Sequence, residues 1–223
     1  MNRREKLPSV RQIRLQRRLP SYWRVTFDHP PLNIFGPETI PQLNDIIAEL
    51  ETDEHVKVVV FDSAVEGFFL THYNFQAPLE ASTSLPPGPT GLQALPDMLV
   101  RLSRAPVVSI VSIRGRATGV GSELALASDT RFASREKAIL SQWEVGAGLV
   151  PGGGPMARLP RLLGRGRGVG GAAWSRRHPR RACGALWLGQ SRAAGCGTGR
   201  IRRCAGDHGS RLSTSKRSLR PNV

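Results

Sequence analysis

Residues 106–155 read PVVSIVSIRGRATGVGSELALASDTRFASREKAILSQWEVGAGLVPGGGP, and this stretch decides the fold. Residues 107–113 form an apolar, β-branched run, the pattern of a buried strand. A glycine-punctuated turn over 115–121 follows, then SELALAS, whose Ala and Leu content predicts a short buried helix. DTRFAS, residues 129–134, reads as another strand. A second carboxylate, Glu144, precedes a second glycine-rich turn over 152–154. The stretch therefore carries two carboxylates on different elements, beside a turn that aims backbone N–H groups at one point. Those are the parts needed to polarise a carbonyl and to move protons next to it.

Upstream, residues 22–28 (YWRVTFD) alternate and predict a strand that breaks at His29-Pro30-Pro31. Asn33 and Gly36 continue the loop. Pro37 and Glu38 open a helix to about residue 51, with Ile40, Leu43, Ile46, Ile47 and Leu50 on one face. Residues 56–61 (VKVVVF) predict a buried strand. Strand, helix and strand at this spacing require a parallel crossover, hence an α/β class. Residues 67–75 (GFFLTHYNF) form the next loop, 77–90 a Pro/Ser/Thr-rich loop, and 97–103 a helix with Pro96 at its start.

The net charge of +15 is unevenly placed. Residues 1–160 hold 17 Lys+Arg against 16 Asp+Glu, whereas residues 161–223 hold 15 against one acid, Asp207. The charge therefore describes the tail and licenses no polyanion-binding claim for the domain. Cys183, Cys196 and Cys204 all lie in that tail, at spacings of 13 and 8 that match no zinc pattern. A cysteine-free body is compatible with a reducing, cytoplasmic compartment. No apolar run approaches the ~20 residues of a membrane span. The first 20 residues are basic without the apolar core of a secretory signal, and read as a disordered leader. After Arg167 the texture becomes Arg/Gly/Ala-rich with no apolar period, as in a GC-rich frame translated out of register. The expected organisation is a leader over 1–20, an incomplete core over 21–167 and a non-homologous, disordered basic tail over 168–223.

The run RGRATGVGSELALASDTRFAS, followed by EVGAGLVPGGG, resembles the enoyl-CoA hydratase/isomerase (crotonase) superfamily over residues 22–167. The resemblance implies an α/β fold of ββα spiral repeats. It also implies that the family's C-terminal helical region, which closes the acyl pocket and makes the trimer, is missing here or replaced by the basic tail. Its oxyanion loop F-x-A-G-A-D matches Phe69 onward, placing Thr71, His72, Tyr73 and Asn74 in turn. The backbone N–H of Tyr73 is then the first oxyanion donor. G-G-G-x-E-L matches Gly119-Val120-Gly121-Ser122-Glu123-Leu124, making the N–H of Val120 the second donor, with its isopropyl group near the site. Thr71, His72, Asn74, Gly119 and Gly121 become the substrate-binding positions. His72 in place of glycine and Trp143 in place of the usual proline depart from the pattern, and each reads most simply as a loop or packing residue.

Members that hydrate carry a carboxylate at the end of the first motif and another about twenty residues on. Glu123 and Glu144 stand there, 21 residues apart. The resemblance implies Glu123 as the base that orients water and Glu144 as the acid. It implies an acyl-CoA substrate and no cofactor beyond the coenzyme A carried by that substrate, with no metal. It also implies a homotrimer or hexamer, with neither membrane nor nucleic acid as partner. The alternatives are an inactive, frameshifted product of such a gene, and a polyanion-binding protein acting through its tail.

Overall fold

The computed structural model describes residues 11–173. Its main sheet has five strands in the order β1 (Ile13–Leu19), β2 (Tyr22–Phe27), β3 (Val58–Ser63), β5 (Val108–Ile113) and β7 (Thr130–Ala133). β1 pairs antiparallel with β2, and every later pair is parallel. A second, three-stranded parallel sheet orders β4 (Phe68–Leu70), β6 (Arg116–Thr118) and β8 (Ile139–Ser141). The helices are α1 (Thr39–Thr52), α2 (Leu79–Thr83), α3 (Ala94–Leu102), α4 (Val120–Ala127), α5 (Pro155–Leu163) and α6 (Arg165–Ala173), with a 3-10 turn at Glu144–Ala147. Each repeat places one strand in the large sheet, one in the small sheet, then a helix: β3–β4–α3, β5–β6–α4, β7–β8–α5. This is the α/β spiral of ββα units expected from the sequence.

The core lies between the large sheet and the helices. Val25, Phe61 and Val111 align across β2, β3 and β5 and are fully buried. Ile40, Leu43, Ile46, Ile47 and Leu50 of α1 are buried as their spacing predicts. Phe27 meets Phe69 edge-on at 5.7 Å between ring centroids. A buried polar cluster joins α1 to α3: the Arg101 guanidinium donates to Glu51, to Asn44 Oδ1 at 2.7 Å and to Asp97 Oδ2 at 3.3 Å.

Two sequence expectations are corrected. Residues 13–19, assigned to a disordered leader, form β1. Ile13 and Leu15 alternate inward, while Arg14 and Arg17 pair with Asp28 and Glu49. The basic composition belongs to the outer face of an edge strand. The boundary expected at residue 168 falls inside α6, whose Gly168 N–H donates to Gly164 O at 2.9 Å. The remainder of the expected tail, with all three cysteines, and residues 1–10 of the leader lie outside the described residues. Two smaller differences are a short helix, α2, inside the 77–90 loop and a strand, β6, inside the 115–121 turn.

Candidate active site

The first loop of the site follows β4. Asn33, fully buried and left-handed at φ 51°, fixes it. Its carbonyl accepts from Thr71 N–H (2.9 Å), and its Nδ2 donates to Phe69 O and Ser63 Oγ (2.8 Å each). Thr71 Oγ1 also donates to Asn33 O at 3.1 Å. Phe35 then brackets the loop: its N–H donates to His72 O (3.1 Å), and its carbonyl accepts from Asn74 N–H (2.7 Å). Tyr73 N–H sits between these bonds and has no acceptor among the described residues. The Asn74 side chain turns back on its own loop, where Oδ1 accepts from Gln76 N–H at 3.0 Å.

The second loop follows β6. Gly119 adopts φ 53°, ψ −121°, a conformation open to glycine alone among common residues. Its N–H donates to Ser141 O (3.1 Å), and its carbonyl accepts from Glu123 N–H (2.9 Å), opening α4. Val120 N–H, the first amide of α4, likewise has no acceptor among the described residues. The Val120 isopropyl group, expected near the site, belongs to the core, and the residue is 5 % exposed. Gly121 N–H donates to Thr71 O at 3.3 Å and so ties the two loops together. Any β-carbon at Gly121 would stand 1.9 Å from Leu70 O, which makes glycine obligatory at that contact.

Glu123 and Glu144 are both buried, at 3 % and 9 % exposure. Glu123 Oε1 accepts from Gly153 N–H at 2.7 Å, so the second glycine turn reaches back to α4. Burial pushes the Glu123 pKa up to about 7; the Gly153 bond pulls it down, the Glu144 charge adds to the rise, and Arg158 opposes it. Arg158 of α5 holds the turn in place, donating to Gly153 O (2.5 Å) and to Leu99 O (3.2 Å). Burial also raises the Glu144 pKa, against the pull of backbone N–H groups at Trp143 and Glu144 and of His72. The Gln142 carboxamide, oriented to satisfy both ends, donates to Glu144 Oε2 (3.0 Å) and Oε1 (3.2 Å). Its oxygen accepts from Ser122 Oγ at 3.2 Å. The Glu123 carboxylate is thus held by one hydrogen bond from the Gly153 turn, and the Glu144 carboxylate by a two-bond chain through Gln142 from Ser122 of α4.

A cleft of about 340 Å3 opens beside these loops, lined by Thr71, His72, Thr118, Ser141 and Trp143 among others. Neither glutamate lines it directly. His72 is not an isolated loop residue: its ring lies 5.2 Å from Trp143 and 5.9 Å from Phe75, and Phe75 meets Trp143 edge-on at 5.1 Å. Asn33, Ser122, Gln142 and Arg158 were given no role in the site from sequence, and Gly153 entered only as part of the glycine-rich turn over 152–154. Asn33 carried a local signal as well, as a turn residue that tolerates φ > 0. Among the described residues no His/Cys/Asp/Glu group could hold a metal ion, and no helix is long and apolar enough to cross a membrane.

Comparison with known proteins gives the class that these loops and repeats point to. The family model for enoyl-CoA hydratase/isomerase matches residues 21–170. The chain belongs to the enoyl-CoA hydratase/isomerase (crotonase) superfamily. Mouse enoyl-CoA hydratase domain-containing protein 2, mitochondrial, is 36 % identical over 132 residues, 59 % of this chain and 44 % of the relative. The short-chain-enoyl-CoA hydratase of Clostridium acetobutylicum is 33 % identical over 145 residues, 64 % of this chain and 54 % of the relative. A Streptomyces avermitilis structure provisionally assigned as an enoyl-CoA hydratase superposes with a TM-score of 0.73 at 38 % identity, covering 81 % of this chain and 65 % of that one. The chain spans about half the length of these curated relatives.

Proposed function

We propose that this chain binds an acyl-CoA thioester and adds water across a 2-enoyl-CoA. Tyr73 N–H and Val120 N–H receive the thioester oxygen. As C2 gains electron density, negative charge grows on that oxygen, and two preorganised donors are worth about 3–4 kcal/mol each. The α4 dipole adds to the Val120 donor. Glu123 takes a proton from water as the water oxygen bonds to C3, and Glu144 delivers a proton to C2. The pair begins and ends each turnover holding one proton. A base with a pKa of about 7 is matched to that task near neutral pH.

The observation that carries this reading is the conjunction of two acceptor-free amides, on loops joined by the Gly121–Thr71 bond, with two buried carboxylates of raised pKa. Moving a double bond needs one carboxylate to shuttle a proton, whereas adding water needs a base and an acid. The presence of two therefore favours hydration over isomerisation. The test is crotonyl-CoA hydration by the full chain, with Glu123→Gln and Glu144→Gln as controls. Each variant should lose at least a hundredfold in kcat. A wild-type chain that neither binds nor turns over any acyl-CoA sinks the proposal, and variants as active as wild type remove the roles of the two residues.

A further inference from the structure

Trp143 presents an indole N–H that the fold leaves unanswered. Nε1 is buried and has no hydrogen-bond partner among the described residues, although an indole can only donate and a buried one ordinarily finds an acceptor. The ring is clamped edge-on by His72 at 66° and Phe75 at 89°, which fixes the direction of the N–H. Two residues earlier, Ser141 Oγ is also buried without a partner among the described residues, and both residues line the same cleft. Two orphaned polar atoms on one segment, carried by residues that line one cleft, mark a place that a polar ligand atom completes.

The neighbourhood says which atom. Nε1 lies 2.9 Å from the point where a β-carbon on Gly119 would stand, and Glu144 Oε1 lies 3.0 Å from the same point. Glycine at 119 keeps a side chain out of the gap on which these two polar atoms converge, where a β-carbon would crowd both, next to the acceptor-free amide of Val120. An atom just beyond it must accept from the indole and also satisfy a carboxyl group. A thioester carbonyl can only accept. A water or a hydroxyl does both: one lone pair takes the N–H, the other faces carbon, and the hydrogens face carboxylates. A C3 hydroxyl, its oxygen three bonds from a thioester carbon held at Tyr73 and Val120, falls within reach of this gap.

We infer that the Trp143 indole N–H donates to the oxygen that becomes the 3-hydroxyl, so that the site recognises 3-hydroxyacyl thioesters over their saturated counterparts. The inference rests on the hydration reading and deepens it. Trp143 touches the reacting oxygen and sets its orientation, while bond making remains with the glutamates.

The test compares binding of 3-hydroxybutyryl-CoA and butyryl-CoA by the full chain, wild type against Trp143→Phe. The expected result is that the variant binds butyryl-CoA as wild type does, loses about tenfold in affinity for 3-hydroxybutyryl-CoA, and hydrates crotonyl-CoA with a lowered kcat at nearly unchanged KM. A second readout uses the wild-type chain alone. One of its four indole N–H resonances, identified by contacts to the His72 and Phe75 rings, should shift with 3-hydroxybutyryl-CoA and not with butyryl-CoA. Equal discrimination by the variant, or an indole resonance that does not move when the hydroxy ligand binds, overturns the role of Trp143 and leaves the hydration reading standing. A wild-type chain that binds neither ligand overturns both.

Discussion

Glu123→Gln should stabilise the chain at alkaline pH even as it removes the candidate base. The carboxyl is almost fully buried, and its pKa rises from the ordinary 4.5 to about 7. Between those values the folded chain holds a proton that the unfolded chain has released. Stability therefore falls as pH rises through the interval, and the loss is complete above pH 7. The gap of 2.5 pH units, at 1.36 kcal/mol each, amounts to about 3 kcal/mol by pH 8. Glutamine keeps an Oε1 to accept the 2.7 Å bond from Gly153, buries no charge, and removes the repulsion with Glu144. Groups elsewhere titrate alike in both proteins, so the difference between the two stability curves isolates this site. Urea unfolding at pH 5, 6, 7 and 8 reads it. With an m-value of about 2 kcal/mol/M, the variant should gain about 1.5 M in midpoint at pH 8 and little at pH 5. Superimposable pH profiles, or a variant that unfolds earlier than wild type at pH 8, would refute the reasoning.

Three further perturbations probe the site and its support. Gly119→Ala places a methyl group at 2.9 Å from Trp143 Nε1 and 3.0 Å from Glu144 Oε1, on a backbone at φ 53°. It should cost about 1–3 kcal/mol in urea unfolding and abolish crotonyl-CoA binding by calorimetry. Arg101→Met strands Asp97, which is 1 % exposed, without its buried cation. A loss of about 3–5 kcal/mol is expected from the thermal melt, and a melt within a degree of wild type would show the pair to be dispensable. Leu149, Val150, Met156 and Leu162 are exposed apolar side chains around α5, the largest exposure being 81 % at Val150. A patch of that kind favours association, so Val150→Asp with Leu162→Asp should raise the monomer fraction in sedimentation velocity without moving the melting midpoint.

What the sequence revealed and what it hid divide along physical lines. The 107–113 run and the glycine turn into α4 were legible because strand burial and tight turns depend on local composition, and β5 and α4 lie where that composition puts them. The two glutamates were legible as residues at a spacing. Their surroundings were not, because Gly153, Gln142 and Arg158 act across 30, 2 and 5 residues of chain through tertiary hydrogen bonds that leave no periodic trace. β1 was hidden by its own chemistry: four arginines in eight residues look like a solvated arm until Asp28 and Glu49 are brought alongside.

The small sheet was hidden for a different reason, and it is the element on which the site depends. Its strands, FFL, RAT and ILS, have three residues each, too short for alternation to register. Yet each releases one loop of the candidate site at its C-terminal end: β4 delivers residues 71–74, β6 delivers Gly119 and Val120, and β8 delivers residues 142–144. Their parallel pairing, with Leu70 opposite Ala117 and Thr118 opposite Ser141, sets which residues of the three loops stand side by side. A slip of one residue in either pair would carry Tyr73 or Glu144 away from Val120 while leaving the large sheet and its core intact. Ligand sites in parallel sheets form where strands end, because unpaired amides and helix N-termini gather there. In this chain that rule operates through nine residues of strand, and Leu70, Ala117 and Leu140 are also buried in the core, so substitutions there should weaken acyl-CoA binding and lower the melting midpoint together.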